Sequence, residues 1–409
     1  MTRLSTPYFE PKIVEQHRKD GYWIEAIDVD ADGATDLVGY GLGEGEVTWY
    51  KNPTWAPTLI TKLAGPVGMH HADIDGDGFD DIVICYQYGK TMVECDPDGG
   101  KIIWLENPGK KACGWKAHYI GRAPAMHRLK VGHFTQTRKL QVLALPIEGK
   151  PNAVHSTTPL LLFTQPDDVH AAEAWDGTVV DSSFYHVVHG VSVKKFRARQ
   201  GSLLDSVLLA SEEGISFLYY DEQNRTWQHD LIHGGEQTQL ARTGFRGSGD
   251  VDVGRVGDDE FAYIPTVEPF HGNTVCVYCK DAAGSLGPVR WNRHVLDVYG
   301  DPNELGEGPG HFVVCADFDG DGDDEFLVAL RGPMPWQGVF YYKALDVRGG
   351  VFAKWRVATE SAARITVADF DNDGRLDFAT MGYSVKGYYA TENPQVIVYH
   401  NRFADLKTR

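Results

Sequence analysis

Three histidines occupy one phase of a long internal repeat. His127, His189 and His311 each stand six residues before the start of their repeat's turn, at His133, Lys195 and Asp317. Imidazole, with an unperturbed pKa of about 6.5, can take or give a proton near neutral pH. Three neutral imidazoles can instead hold Zn²⁺ with a fourth position open, and the ion then polarises a carbonyl. Both arrangements serve one kind of reaction: a proton α to a carbonyl is removed, the enolate is stabilised, and a β-hydroxyl or β-alkoxyl leaves with acid help. A lone histidine at a strand end is ordinarily a hydrogen-bonded structural group. Three at equal phase, with His70 and His71 near the same level in GMHHADID, argue for a functional cluster. His17, His118, His229, His233, His294 and His400 carry no such pattern and read as surface or strand-end groups, while His155 and His170 fall in long loops.

The turns that set this phase are acidic. Four copies recur: DVDADGATD with Asp28, Asp30, Asp32 and Asp36; DIDGDGFDD with Asp73, Asp75, Asp77 and Asp81; DFDGDGDDE with Asp317, Asp319, Asp321 and Glu325; and DFDNDGRLD with Asp369, Asp371, Asp373 and Asp377. Carboxylates stand at positions 1, 3, 5 and 9, and a Gly at position 6 can take the positive φ that a tight oxygen cage requires. Hard oxygen ligands at that density predict Ca²⁺, with Mg²⁺ second. An EF-hand is excluded, because its bidentate Glu falls at position 12 and helices flank it. Here apolar runs such as Ile82-Val83-Ile84 follow the loop and a short strand precedes it, so the loop is a strand-to-strand turn.

Counting these turns counts the repeats. Acidic loops or their degenerate equivalents begin at Asp28, Asp73, His133, Lys195, Arg255, Asp317 and Asp369, spaced 45 to 62 residues apart, which suits four-stranded propeller blades. A third-strand signature recurs in VTWYKNP, IIWLENPG, ISFLYY, VCVYCK, VFYYK and VIVYHN, and outer strands open on Trp55, Trp115, Trp175, Trp227, Trp291 and Trp355. Seven inner strands but six such outer strands leave one to be found at the other end of the chain. Tyr8 to Val14 has the right pattern, so it is predicted to pair with Val396 to Tyr399 and close the ring. The expected fold is an all-β, seven-bladed β-propeller closed by the N-terminal strand, with residues 1–409 as a single domain.

Composition agrees. With 42% hydrophobic and 11% aromatic residues, 45 Gly and 20 Pro, the chain can bury a large core and still supply many turns. A formal charge of −18 argues against nucleic acid or an anionic membrane as partner. MTRLSTPYFEPK lacks the apolar core of a signal peptide, so the chain reads as cytoplasmic, or as secreted if already processed. Cys276 and Cys279 sit in a strand and point to opposite faces, which disfavours a redox or zinc CxxC. GLGEGE reads as a hairpin turn, and no Gly-x-Ser-x-Gly elbow is present.

Propeller topology puts the acidic loops on one face and the first-strand entries on the other. Six residues of strand span about 20 Å, so cations brace one side while the histidines gather at the mouth of the channel on the other. Around that mouth the sequence places Trp23, Glu25, Tyr86, Tyr88, Arg128, His271, Arg331, Arg364, Tyr383 and Tyr388. The expected roles are metal binding or acid/base work for His127, His189 and His311, and proton transfer for His70, His71 and His271. Arg128, Arg364 and Tyr383 would bind substrate hydroxyls or an enolate oxygen. Trp23 would offer a stacking face, with Glu25, Tyr86, Tyr88, Arg331 and Tyr388 as further substrate contacts.

The segments GYWIEAIDVD, PVGMHHADIDGDGFDDIVI, APAMHRLKVGHF, PFHGNTVCVYCK, RHVLDVYG, GHFVVCADFDGDGDDEFLVAL and MGYSVKGYY resemble the N-terminal propeller of fungal aldos-2-ulose dehydratase, from about Gly21 to about Tyr399. The resemblance implies a lyase that eliminates water from a keto-sugar of the aldos-2-ulose or 1,5-anhydrofructose type. That family's larger chains also carry cupin-like domains linked to an isomerisation, and this sequence ends at Arg409, leaving at most the elimination step. Three other readings stay open on sequence: a non-catalytic sugar- or protein-binding propeller, a polysaccharide lyase, and a tailoring enzyme for another metabolite.

Overall fold

The computed structural model describes residues 6–89, 94–110, 114–238, 244–281 and 289–403. Its strands form seven antiparallel sheets, six of which run in chain order from first to fourth strand, so the fold is a seven-bladed β-propeller. The fifth sheet carries an extra short strand, Gly254–Val256. The seventh is built from Arg364–Ala368, Asp377–Met381, Val396–Asn401 and Phe9–Glu15, and the last two pair from Phe9 with Asn401 to Ile13 with Ile397. The predicted closure by the N-terminal strand is therefore present. Phe9 anchors it, packing edge-on against Phe318, Phe378 and Phe403.

By internal contacts the chain divides into two compact units, Ile27–Gly235 and Met1–Ala26 with Glu236–Arg409. In the first, Phe134, Leu143, Leu145, Val207 and Leu209 form a core cluster. In the second, Val267, Val277, Phe326 and Val328 form one cluster, and Leu327, Tyr341, Phe378 and Tyr399 another. Second strands such as Asp81–Tyr86 and Gln141–Pro146 are buried almost throughout, because both of their faces are covered. This explains their unbroken apolar sequence. Outer strands such as Ala56–Lys62 are largely exposed. The five described cysteines are free thiols, and no described helix is long and apolar enough to cross a membrane.

The ninth-position carboxylate of each acidic loop is buried and works on the backbone. Asp81 accepts the N–H of Ile74 at 2.9 Å with one oxygen and that of Asn107 at 2.7 Å with the other. Asp36 does the same for Val29 and Asn52, and Asp377 for Phe370 and Asn401. The asparagine thus held closes the third strand, and the side-chain amides of Asn107 and Asn401 clasp the preceding blade. Asn107 donates to the Val29 carbonyl at 2.8 Å and to Asp80 at 2.9 Å, and Asn401 donates to Phe318 and Leu376. In the third blade, whose turn has lost its acids, Gln141 stands at the same place and accepts from Phe134 and Thr135. The clasp outlives the charge.

Asn107→Ala leaves two buried carbonyls without their donors and should cost about 2–3 kcal/mol. The check is a urea unfolding curve, and an unchanged midpoint would contradict the clasp.

Candidate active site

His127 and His311 are placed by the same local device. His127 is the extra residue between the Met126–Pro146 and Arg128–Leu145 pairs, and His311 is the extra residue between Gly310–Leu330 and Phe312–Ala329. Such bulges re-aim a side chain at a strand end. The N–H of His189 bonds the Ala210 carbonyl although Gly190 is the residue registered with Ala210.

In the unit Ile27–Gly235, the guanidinium of Arg128 ties His127 to His189. It donates to His127 Nε2 at 3.0 Å, to His189 Nε2 at 2.9 Å and to the Val67 carbonyl at 3.2 Å. Arginine has donors only, so both Nε2 atoms accept, and in this arrangement both imidazoles are uncharged with their proton on Nδ1. The two rings lie 4.9 Å apart, with Tyr88 5.6 Å from His127. A metal on these two nitrogens would have to displace a buried guanidinium. Of the three histidines expected to hold Zn²⁺, His127 and His189 therefore have their lone pairs engaged.

In the other unit, His271 and His311 lie with ring centroids 5.5 Å apart. His311 Nδ1 donates to the Ala363 carbonyl at 2.5 Å, and His271 Nδ1 faces Glu307 Oε2 at 2.6 Å. In the neutral form each ring then carries its lone pair on Nε2. This is how histidines are held when they ligate a metal or serve as bases. Close backbone approach makes the geometry: a Cβ on Gly308 would fall 2.3 Å from the Gly272 carbonyl, and Gly308 N–H bonds the His271 carbonyl at 2.6 Å. Tyr22 and Tyr383 flank His311 at 5.9 and 5.3 Å, and Tyr388 stands 6.1 Å from His271.

Beneath this pair lies a buried ion network. Arg331 donates to Glu307 at 2.6 Å, to the Gly308 carbonyl and to the Tyr383 hydroxyl at 3.2 Å, and its plane faces the rings of Tyr383 and Tyr389. Burial alone would raise the Glu307 carboxyl, but the charges and hydrogen bonds of His271 and Arg331 outweigh it and hold it at about 2. Burial pushes the Tyr383 phenol up despite Arg331, so it stays a donor.

Several expected roles are corrected here. Arg331, expected to contact substrate, is fully buried in this network, where it bonds Tyr383 and Glu307. Trp23 is only 1% exposed, with the Arg364 guanidinium 3.6 Å over its ring and Glu25 on its indole N–H, so neither Trp23 nor Arg364 offers the surface expected of it. His71 Nδ1 bonds Asp80 at 2.6 Å, at the acidic-loop end of its strand. His70 Nδ1 accepts the Val131 N–H, and burial together with Lys130 and His71 holds it well below its ordinary pKa. Both are structural, because two and three residues before the loop is too far along the strand to reach its entry. Tyr86 is half-buried, its phenol raised by burial.

The sequence reading missed Glu307, whose signal was its place four residues before His311 in GEGPGH. It also missed Glu148, which is 1% exposed, has no hydrogen-bond partner on either oxygen among the described residues, and is lifted by burial to about 7.

Residues 99–281 match the sequence model of the aldos-2-ulose dehydratase β-propeller domain, and residues 28–84 match an FG-GAP-like repeat. The chain is 41% identical over 416 residues to an aldos-2-ulose dehydratase of Phanerodontia chrysosporium, taking in 96% of this chain and 46% of the relative. It thus spans about half the length of the curated relative it matches. The chain resembles that enzyme's propeller, carrying FG-GAP-type repeats. Two solved structures are similar at 10% identity: YCF48 from Cyanidioschyzon merolae (TM-score 0.53, covering 96% of this chain and 98% of that one) and BBS1N in complex with ARL6DN (TM-score 0.58, covering 98% and 99%). At that identity they speak to the fold alone.

Removing one partner from the Glu307 network leaves a buried charge uncompensated, so Glu307→Gln should cost about 3–5 kcal/mol at pH 7. Because the folded carboxyl titrates at about 2 against an ordinary 4.5, its contribution is fully present above 4.5 and is lost as pH falls toward 2. Urea unfolding at pH 7 and pH 3 should therefore show the gap between wild type and variant narrowing.

Proposed function

We propose that this chain is a carbon–oxygen lyase that removes water from a keto-sugar of the aldos-2-ulose or 1,5-anhydrofructose type, and that His271 and His311 carry the reaction. The observation behind this reading is the pair of imidazoles whose Nδ1 atoms lie against protein oxygens, that of His271 2.6 Å from the Glu307 carboxylate and that of His311 on the Ala363 carbonyl, which makes Nε2 the basic nitrogen of each neutral ring.

Elimination needs a base, a partner for the enolate oxygen and a proton for the departing hydroxyl. His271 Nε2 is assigned the α-proton. Glu307 on Nδ1 fixes the tautomer and stabilises the imidazolium that forms. The Tyr383 hydroxyl, kept protonated by burial and polarised by Arg331, is assigned the enolate oxygen. As the carbon–oxygen bond breaks, the leaving hydroxyl takes a proton from an imidazolium of the pair and departs as water, so the reaction consumes no oxidant or reductant. The Nε2 atoms of His271 and His311 also suit a divalent ion such as Zn²⁺, which would supply Lewis-acid polarisation of the carbonyl.

With 1,5-anhydrofructose as substrate, appearance of ultraviolet enone absorbance should fall by about 10²-fold or more in His271→Ala, in line with loss of a general base. His71→Ala, away from this pair, should retain turnover within about threefold. Full activity in His271→Ala, or no enone from any keto-sugar with the wild-type chain, would remove the assignment.

A further inference from the structure

In the four acidic loops the carboxylates divide into two jobs. Position 1 accepts backbone N–H groups of its own loop, as Asp28 does from Asp32 and Gly33, Asp317 from Gly320 and Gly322 and Asp369 from Asp373 and Gly374, and position 9 forms the clasp in the first, second and fourth loops. Positions 3 and 5 are left to face a positive charge. In three loops the protein supplies that charge itself.

One register position selects it. The third-strand residue opposite position 9 is Lys51 in the first loop, Glu106 in the second, Lys343 in the third and His400 in the fourth. Lys51 bonds Asp30 and, at 2.9 Å, Asp32. In the fourth loop the cation is Arg402, two residues after His400, which bonds Asp371 at 2.7 Å and Asp373 at 3.1 Å. Lys343 bonds Asp319 at 2.6 Å and Asp321 and Glu325 at 2.8 Å each, using all three ammonium protons. Lys51 and Arg402 are 37% and 32% exposed and can swing into water, but Lys343 is 4% exposed. A divalent ion entering the third loop would strand a buried, uncompensated ammonium.

The second loop is the odd one. Its register position adds a carboxylate, Glu106, and His170 comes in from the link between the third and fourth strands of the next blade. His170 Nε2 lies 3.5 Å from Asp75 Oδ2 and 3.7 Å from Glu106 Oε2. The three ligand atoms fall within 4.8 Å of one another. His118 Nε2 sits 2.8 Å from the same Glu106 oxygen and Lys116 3.1 Å from the other, so Glu106 is oriented from behind. The presence of a cation at the matching place in the sister loops is the independent sign that a cation belongs here. Two carboxylates with an imidazole favour an ion that accepts nitrogen over Ca²⁺.

We propose that the second loop is a divalent metal site using Asp75, Glu106 and His170, of a kind that takes Zn²⁺ or Mn²⁺, and that the third loop takes no ion because the Lys343 ammonium fills it. The proposal does not depend on the lyase reading. The test is metal counting by mass spectrometry and calorimetric titration with Zn²⁺, Mn²⁺ and Ca²⁺, on the tag-free full chain stripped with EDTA. His170→Ala should lose one equivalent of Zn²⁺ or weaken it tenfold or more. Asp321→Asn should leave every count unchanged, and Lys343→Ser should gain one equivalent of Ca²⁺. Unchanged Zn²⁺ binding in His170→Ala, or an equivalent lost in Asp321→Asn, would overturn it. Asp321 is partly exposed, so that arm stands even if Lys343→Ser does not fold.

Discussion

A carboxylate buried at the end of each acidic loop holds the blades in order. Asp36, Asp81 and Asp377 are almost wholly inaccessible, yet each has two backbone N–H donors from two different segments, so the cost of burying the acid is met by bonds that fix where the loop begins and where the third strand ends. For Asp81 and Asp377 the second of those donors belongs to an asparagine whose amide reaches the preceding blade, so one side chain sets both the turn and the stacking of neighbours. Gln141 repeats the loop half of this wiring without charge, accepting from Phe134 and Thr135, which separates that architectural job from any cation.

That constraint positions the histidines indirectly. Once the loop end of a first strand is fixed, its other end lies about 20 Å away, and a single inserted residue there decides which way a side chain faces. His127 and His311 both use that insertion. They then meet different partners. Arg128 consumes the imidazole lone pairs of His127 and His189, whereas a carbonyl and the Glu307 carboxylate leave those of His311 and His271 directed on Nε2. Similar residues at equal phase thus acquire different chemistry from what lies behind them.

The charge of the chain reads differently in this light. Much of the formal −18 sits in loops where Lys51, Lys343 and Arg402 already neutralise positions 3 and 5. Acid density in a turn is evidence of a cation, but the cation can be part of the same polypeptide. In the third loop the ammonium is as buried as the Asp319 and Glu325 carboxylates it meets.

Sequence alone carried the blade count, the strand-to-strand nature of the acidic turns and the closing pair, expected as Tyr8 to Val14 with Val396 to Tyr399 and found as Phe9–Glu15 with Val396–Asn401, because each rests on local periodicity repeated along the chain. It also carried the shared phase of His127, His189 and His311. Partnership was decided by the tertiary structure. No spacing reveals that Arg364 covers Trp23, that Arg331 is spent on Glu307, or that Lys343 lies inside an acidic loop 18 residues before it, since these contacts join segments whose separation in sequence has no period. Whether an imidazole is a base, a ligand or a strut depends on what bonds its other nitrogen, and that atom is chosen only when the chain is folded.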